Sequence, residues 1–363
     1  MTPNQLKRTR KLSPSITKFI ILLLTVIILQ VLINSFERST PPNVANVSSS
    51  ASTNNAKQTQ TNQSPNISVV DSAKNSIEIY NYNNDSPPTV IKVGNDPVAM
   101  IPDPTGLQQY VINKGSNNVS VISMISIKAY KTIAVGNAPV AAAIDSATGI
   151  LYVVNSGSNS ITSIQLLGLK VIRSFYGGPA PVSIAIDQTS DVAYIVDQGD
   201  NAVLPVNLST FKPIAAPIAV ASDPIKIMSD QNSDSVGYVL SQATGTVSII
   251  SYISSKVIAT LNIGGQPTSI CEEYNQGLIY VTLGSSNQIV PIDLIAFSPL
   301  KPISMPGEPT SLYCLPNGNG FVIDLQSLSA KYFSLLTGSI INSIPLTGDP
   351  VALSYSPSKY EST

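Results

Sequence analysis

A proline returns along the chain at almost constant intervals. Pro97, Pro139, Pro181, Pro224, Pro267, Pro309 and Pro350 are spaced by 42, 42, 43, 43, 42 and 41 residues. An aromatic keeps step with it at Tyr110, Tyr152, Tyr194, Tyr238, Tyr280 and Phe321. Self-similarity at this period restricts the chain to a propeller or a solenoid, because a single unit of this size cannot bury its apolar face alone.

Each repeat reads as four short strands. In the first, Val140, Ala142 and Ile144 alternate with Ala141 and Ala143; Val182, Ile184 and Ile186 do the same against Ser183 and Ala185. A period of two with one bulky and one small face suits wedge-shaped units packed beside a central channel. The second strand carries the aromatic, as in Leu151-Tyr152-Val153-Val154-Asn155. Seven positions after the aromatic stands Asn117, Asn159, Asn201 or Asn287, with Gly245 in the fourth repeat. Asn and Gly tolerate a left-handed backbone, so this position is a hairpin turn. A third strand follows, and a fourth opens behind Lys131, Lys170, Lys212, Lys256 or Lys301. Charge at that position protects an outer edge from pairing with other chains. Pro205 and Pro291 fall in third strands, where a missing amide donor predicts a thinned outer edge.

Six complete repeats run from Pro97 to Asp349. Before them, residues 67–94 supply strands two, three and four without a first; after them, Pro350 to Tyr355 supplies a first strand alone. An open solenoid needs capping repeats, whereas complementary fragments close a ring. The expected fold is therefore all-β: a seven-bladed β-propeller of four-stranded blades over residues 67–356, closed by pairing of its N- and C-terminal strands. The second strands Tyr110-Val111-Ile112-Asn113, Tyr152-Val153-Val154-Asn155 and Tyr194-Ile195-Val196-Asp197 resemble those of the YVTN-type β-propeller repeat family. That resemblance covers nearly everything beyond residue 66 and weakens at Asp324 to Leu328, where the Asn-bearing turn is missing. It implies kinship with surface-layer-like and secreted bacterial and archaeal propellers; it specifies fold and leaves function open.

The amino terminus is organised differently. Phe19 to Ile33 is apolar but for Thr25 and Gln30, and Lys7, Arg8, Arg10, Lys11 and Lys18 precede it. Extended to Phe36 the run is long enough to span a bilayer, and no A-x-A cleavage site follows it. The expectation is a basic cytoplasmic tail over 1–18, an uncleaved transmembrane signal-anchor over 19–36, and everything beyond it outside. Residues 35–66 are mostly Ser, Thr, Asn, Gln and Pro and read as a disordered tether; residues 357–363 are a short tail. Beyond the anchor the chain carries fewer basic residues than its 21 acidic ones, which argues against a nucleic-acid partner.

Composition removes several chemistries. The chain has no His, so a Ser-His-Asp triad and histidine-ligated metal or haem sites have no ligands. The two cysteines, Cys271 and Cys314, stand four and five residues after their repeat prolines, on opposite faces of their strands. Facing blades leave a meeting open, but two buried free thiols are the expectation. One constellation remains: Asp96, Asp223, Glu308 and Asp349 each stand just before a repeat proline, in turns that lead into innermost strands. Together they predict an acidic arc on one rim of the channel, a candidate site for a divalent cation or a cationic group; the bland alternative is that acids are common in such turns.

The function these features imply is a membrane-tethered extracytoplasmic propeller acting as a binding or cell-envelope structural module. No catalysis and no cofactor are expected, and the partner would be a protein or glycan at the cell surface. The alternative from another class is a carboxylate- or divalent-cation-dependent hydrolase or lactonase, which needs several acids or amides converging at the channel mouth.

Overall fold

The computed structural model describes residues 66–81, 86–230, 235–273 and 275–356. The segments expected to be a cytoplasmic tail and a signal-anchor, the expected tether up to residue 65, and the residues after 356 lie outside them; Asn66, the last residue of that expected tether, already opens a strand. Among the described residues, no helix is long and apolar enough to cross a membrane. The chain forms seven antiparallel sheets, and the innermost strand of each touches those of its two neighbours, so the sheets close into a ring.

The composite blade is assembled from both ends of the chain. Asn66–Asp71 pairs on one side with Ser76–Asn81 and on the other with Pro350–Ser356, while Thr89–Lys92 forms the outer edge. We call this blade 1; blades 2 to 7 begin with innermost strands at Pro97, Pro139, Pro181, Pro224, Pro267 and Pro309. Backbone pairing is reinforced where the ends meet. Ser72 N–H donates to the Asp349 carbonyl at 3.0 Å, and Asp349 N–H donates to Asp71 Oδ1 at 3.1 Å.

The hairpins between second and third strands adopt the left-handed conformation the sequence leads one to expect. Asn75, Asn117, Asn159, Asn201, Gly245 and Asn287 have φ between 49° and 60°. Blade 7 does the same with Leu328, φ 46°. The cost of about 1 kcal/mol for a residue with a Cβ is borne by a turn that both neighbouring strands hold in place. Three of the asparagines do more than turn. The side-chain carbonyls of Asn75, Asn117 and Asn201 accept the N–H of Asp96, Ala138 and Asp223 in the next blade, each at 2.8 Å.

Elsewhere the same amide is held by an acid of its own blade. Asp71, Asp197 and Asp324 end second strands, and they accept the N–H of Asp349, Ala180 and Glu308 at 3.1, 3.1 and 2.8 Å. Gly307 and Gly348, at φ 97° and 75°, pass so close to Asp324 and Asp71 that a Cβ would strike the carboxylate. Glycine is required there on both counts.

The outer edges follow the prolines. Lys128–Ala134, Lys170–Tyr176 and Lys256–Asn262 are continuous, whereas blades 4 and 6 carry only Lys212–Pro213 with Ile218–Ala219, and Ser298–Pro299 with Ile303–Ser304. Pro205 and Pro291 cannot donate to the ladder; their carbonyls still accept from Ile214 and Leu300, at 3.1 and 2.8 Å. Two lysines depart from the expected pattern: blade 2's outer strand starts at Lys128, not Lys131, and Lys301 sits between the two short pieces of blade 6.

The core is distributed between blades. Seven apolar clusters occupy the seven spaces between neighbouring sheets. Strand alternation sorts side chains between them: Tyr152 and Val154 face blade 4, while Leu151 and Val153 face blade 2. The recurring aromatics, Tyr110 to Phe321, are fully buried in these spaces. Blade 1 has Ser68 in the aromatic's place, and Gln109 Nε2 donates to Ser68 Oγ and Ser354 Oγ at 3.1 and 3.2 Å.

The cysteines correct the sequence expectation of free thiols. Cys271 and Cys314 form a disulfide between the innermost strands of blades 6 and 7, with Cα atoms 5.6 Å apart. Opposite faces are what this pairing requires, because adjacent blades present facing surfaces.

Deleting residues 350–363 removes the innermost strand of blade 1 and uncovers the clusters on both its sides. The loss should amount to several kcal/mol, on the scale of core-cavity penalties. Thermal denaturation measures it, and an unchanged melting temperature would contradict closure by the carboxy-terminal strand.

Candidate functional site in the central channel

Every innermost strand pairs with another strand on one side only, so seven edges without a strand partner face the axis. The pairing of each slips just after its proline, as between Pro224 and Lys226 or Pro267 and Ser269. A bulge of this kind re-aims side chains, and here it turns the first residues after the proline toward the channel wall. The enclosed space measures about 730 Å³, within the usual range for small-molecule sites.

Two residues after the proline stand Ala99, Ala141, Ser183, Ser269, Ser311 and Ala352, but blade 5 places Lys226 there. Lys226 Nζ donates to Ser269 Oγ at 3.2 Å, and that hydroxyl also accepts the Leu312 N–H at 3.3 Å. Lys226 forms no ion pair with any described residue, and burial pushes its pKa down. The acid of the same wall, Glu272, stands three residues lower on its own strand, roughly 10 Å along it. An enclosed cation without a counter-charge is the chemically distinctive feature of this channel. Sequence reading passed over it because Lys226 resembles the many surface lysines. The signal was the alignment of repeats, where every other blade has Ala or Ser.

The predicted acids occupy the turns in which the sequence places them. Asp96, Glu308 and Asp349 are exposed and Asp223 is half-buried. Two are engaged: Asp223 Oδ1 accepts from Gln198 Nε2 at 2.6 Å, and Asp349 Oδ2 accepts from the Ser72 hydroxyl. Their own carbonyls accept N–H groups from the ends of second strands, as Asp96 does from Lys114 at 2.8 Å. Among the described residues, no three acids or cysteines gather closely enough to hold a metal ion. Lys226 follows Asp223 by three residues, so the cation lies roughly 10 Å below the acidic turn.

Beneath the rim, two carboxylates are held ionised. Asp324 is buried, which by itself raises its pKa, but Lys331, the Ser327 hydroxyl and the Glu308 N–H outweigh burial and lower it. Asp71 is likewise lowered, burial being outweighed by the Asp349 N–H and by Lys74 at 3.0 Å. Asp197 has no cation, and burial raises its pKa.

Comparison with solved structures places the ring among β-propellers. The chain is 12% identical to a protein of unknown function from Desulfotomaculum acetoxidans, with a TM-score of 0.71 over 81% of this chain and 99% of that one. A 6-phosphogluconolactonase-like protein from Bacteroides uniformis is 13% identical, with a TM-score of 0.65 over 81% and 100%. Hydrazine synthase of Kuenenia stuttgartiensis is 15% identical, with a TM-score of 0.64 over 73% and 94%. At these identities the likeness is one of fold. No protein-family model matches the chain, and neither does any curated protein sequence.

The shifted carboxylates set a pH dependence. Asp71 and Asp324 have folded pKa values below their ordinary 3.8, so they stabilise the fold fully above that value and lose the contribution as pH falls through the lower folded values. Asp197, raised, acts oppositely: its contribution falls as pH rises from 3.8 through its higher folded value. The β-sheet circular-dichroism signal should therefore persist at pH 5 and fail only below about pH 4. Asp324→Asn should blunt the acid transition and cost about 3 kcal/mol at neutral pH, because it leaves Lys331 buried without its partner.

Proposed function

We propose that this chain is a membrane-tethered, extracytoplasmic member of the YVTN-type propellers that works as a binding module without catalytic activity, receiving its ligand at the rim end of the channel. The observation that carries the reading is Lys226: one enclosed cation, without an acid partner, a few residues below a turn that bears Asp223. The rim acids supply negative potential at the mouth and Lys226 a positive point within it. A ligand with both signs of charge, such as an exposed segment of a cell-surface protein, satisfies the two together. Its backbone would also meet innermost-strand edges that no other strand pairs, in the manner of strand addition.

The remaining features support the placement. Positive charge precedes the apolar run over 19–36, which favours an outward-facing remainder. The Cys271–Cys314 bond is of a kind that persists in oxidising compartments. Protease added to intact cells should release a fragment of nearly the whole propeller, cut within residues 35–66. Recovery of the intact mature chain in the medium, beginning after residue 33, would overturn the anchor.

Binding is tested by capture from envelope extracts. A partner retained by the wild type should be lost from Lys226→Met and weakened in Glu308→Gln, Asp349→Asn, while the folded state is monitored by circular dichroism. Retention by Lys226→Met at wild-type strength would remove the channel from the reading.

A further inference from the structure

The face opposite the rim carries a feature that no channel function uses. It is built from the turns joining third to fourth strands, which are stitched to the inner turns of the same face. Met124 N–H donates to the Leu107 carbonyl and Leu166 N–H to that of Gly149, both at 2.9 Å. At the tip of these turns stand Ile125, Leu167, Ile253, Ile295 and Leu336, in equivalent positions of five blades. They are among the most exposed large apolar side chains of the described residues: Leu167, Ile253 and Ile295 are 88%, 87% and 91% exposed. Blade 4 has Ser209 at the same place, and the turn of blade 1 lies outside the described residues.

A lysine follows three positions later in four blades, at Lys128, Lys170, Lys212 and Lys256, all exposed. Acids share this face: Asp103 accepts the Thr105 hydroxyl and Asp191 that of Ser209. Asp145 accepts the Ala147 N–H at 3.0 Å, Asp187 that of Thr189 at 2.9 Å, and Asp293 that of Ile295 at 2.7 Å. At its outer turns the face offers aliphatic tips, followed in blades 2, 3 and 5 by an exposed lysine that forms no ion pair with a described residue.

The chain also enters the propeller on this face. Asn66, the first described residue, pairs with Asn81 at the end of a third strand, beside the ring of tips. We propose that this face docks on the lipid bilayer, its aliphatic tips entering the interface and its lysines meeting anionic headgroups, so that the acidic rim points away from the membrane. The proposal rests on the tethered reading above, which holds the propeller near a membrane by its amino terminus. A bilayer fits better than a folded partner because the tips form a spaced ring of single side chains and no groove. Aliphatic residues interleaved with lysine are the composition of interfacial membrane surfaces.

The chain contains no Trp, so one introduced indole reports a single place. Full-length Leu167→Trp and Ile253→Trp variants, with Asn137→Trp on the rim face as control, are reconstituted into vesicles of phosphatidylcholine and phosphatidylglycerol. Brominated phosphatidylcholine should quench the first two about twofold or more and leave the control unquenched and open to iodide. Adding Lys128→Glu, Lys170→Glu and Lys256→Glu to Leu167→Trp should reduce the quenching. Equal quenching at both faces, or none at residues 167 and 253, overturns the proposal. So does a blue-shifted, concentration-dependent emission without lipid quenching, which would make this face a contact between two copies. Flotation on vesicles of phosphatidylcholine alone scores the anchor separately. A chain that floats without being quenched keeps the anchor and loses the docking. A chain that fails to float there loses the anchor, and the docking then stands only if phosphatidylglycerol vesicles still quench it.

Discussion

The structure depends on the pairing of Asn66–Asp71 with Pro350–Ser356. Each of the other six sheets is continuous in the chain and still cannot stand alone, because its two apolar faces are buried only by its neighbours. A ring built this way has no terminal blade to cap, provided the last interface forms. That interface is made by residues nearly three hundred positions apart, so a long loop closure precedes any return from the contacts it creates. Asp71 concentrates the gain there: it accepts the Asp349 and Lys74 N–H groups and pairs with the Lys74 ammonium. The disulfide between blades 6 and 7 adds a covalent joint near the same closure.

Closure also creates the channel. Seven innermost strands leave edges without a strand partner on the axis, and the bulge after each proline directs side chains toward it. Most blades put Ala or Ser there, so the one lysine is conspicuous. Holding Lys226 where no acid meets it costs stability, and such a cost is a sign of a site. The two faces of the ring differ as well. One gathers the turns that bear Asp96, Asp223, Glu308 and Asp349; the other gathers aliphatic tips and lysines. Asn66, the first described residue, lies at the second face, so the ring is polar along its axis.

Much of this was legible in the residues. The spacing of the prolines and aromatics foretold the blades, their number and the composite closure. Pro205 and Pro291 foretold the broken outer edges of blades 4 and 6, since a proline withholds a donor wherever it sits in a ladder. The acids before the prolines lie in the turns expected of them. Leu328 was not legible, because its left-handed backbone is imposed by the strands on either side against its own preference.

What the sequence determined by itself was local and periodic: alternation, turn residues and the repeat length, each carried by a few neighbouring side chains. What the tertiary structure decided lies between repeats. Alternation placed Cys271 and Cys314 on opposite faces of their strands, and only the approach of two blades, with Cα atoms 5.6 Å apart, made them a pair. Lys226 is one of many lysines until the ring encloses it and Ser269 of the next blade receives it. The aliphatic tips look like scattered surface residues until rotation about one axis sets them on a single face. In each case the deciding quantity is a distance or an enclosure set by a neighbouring blade, and a linear pattern does not contain it.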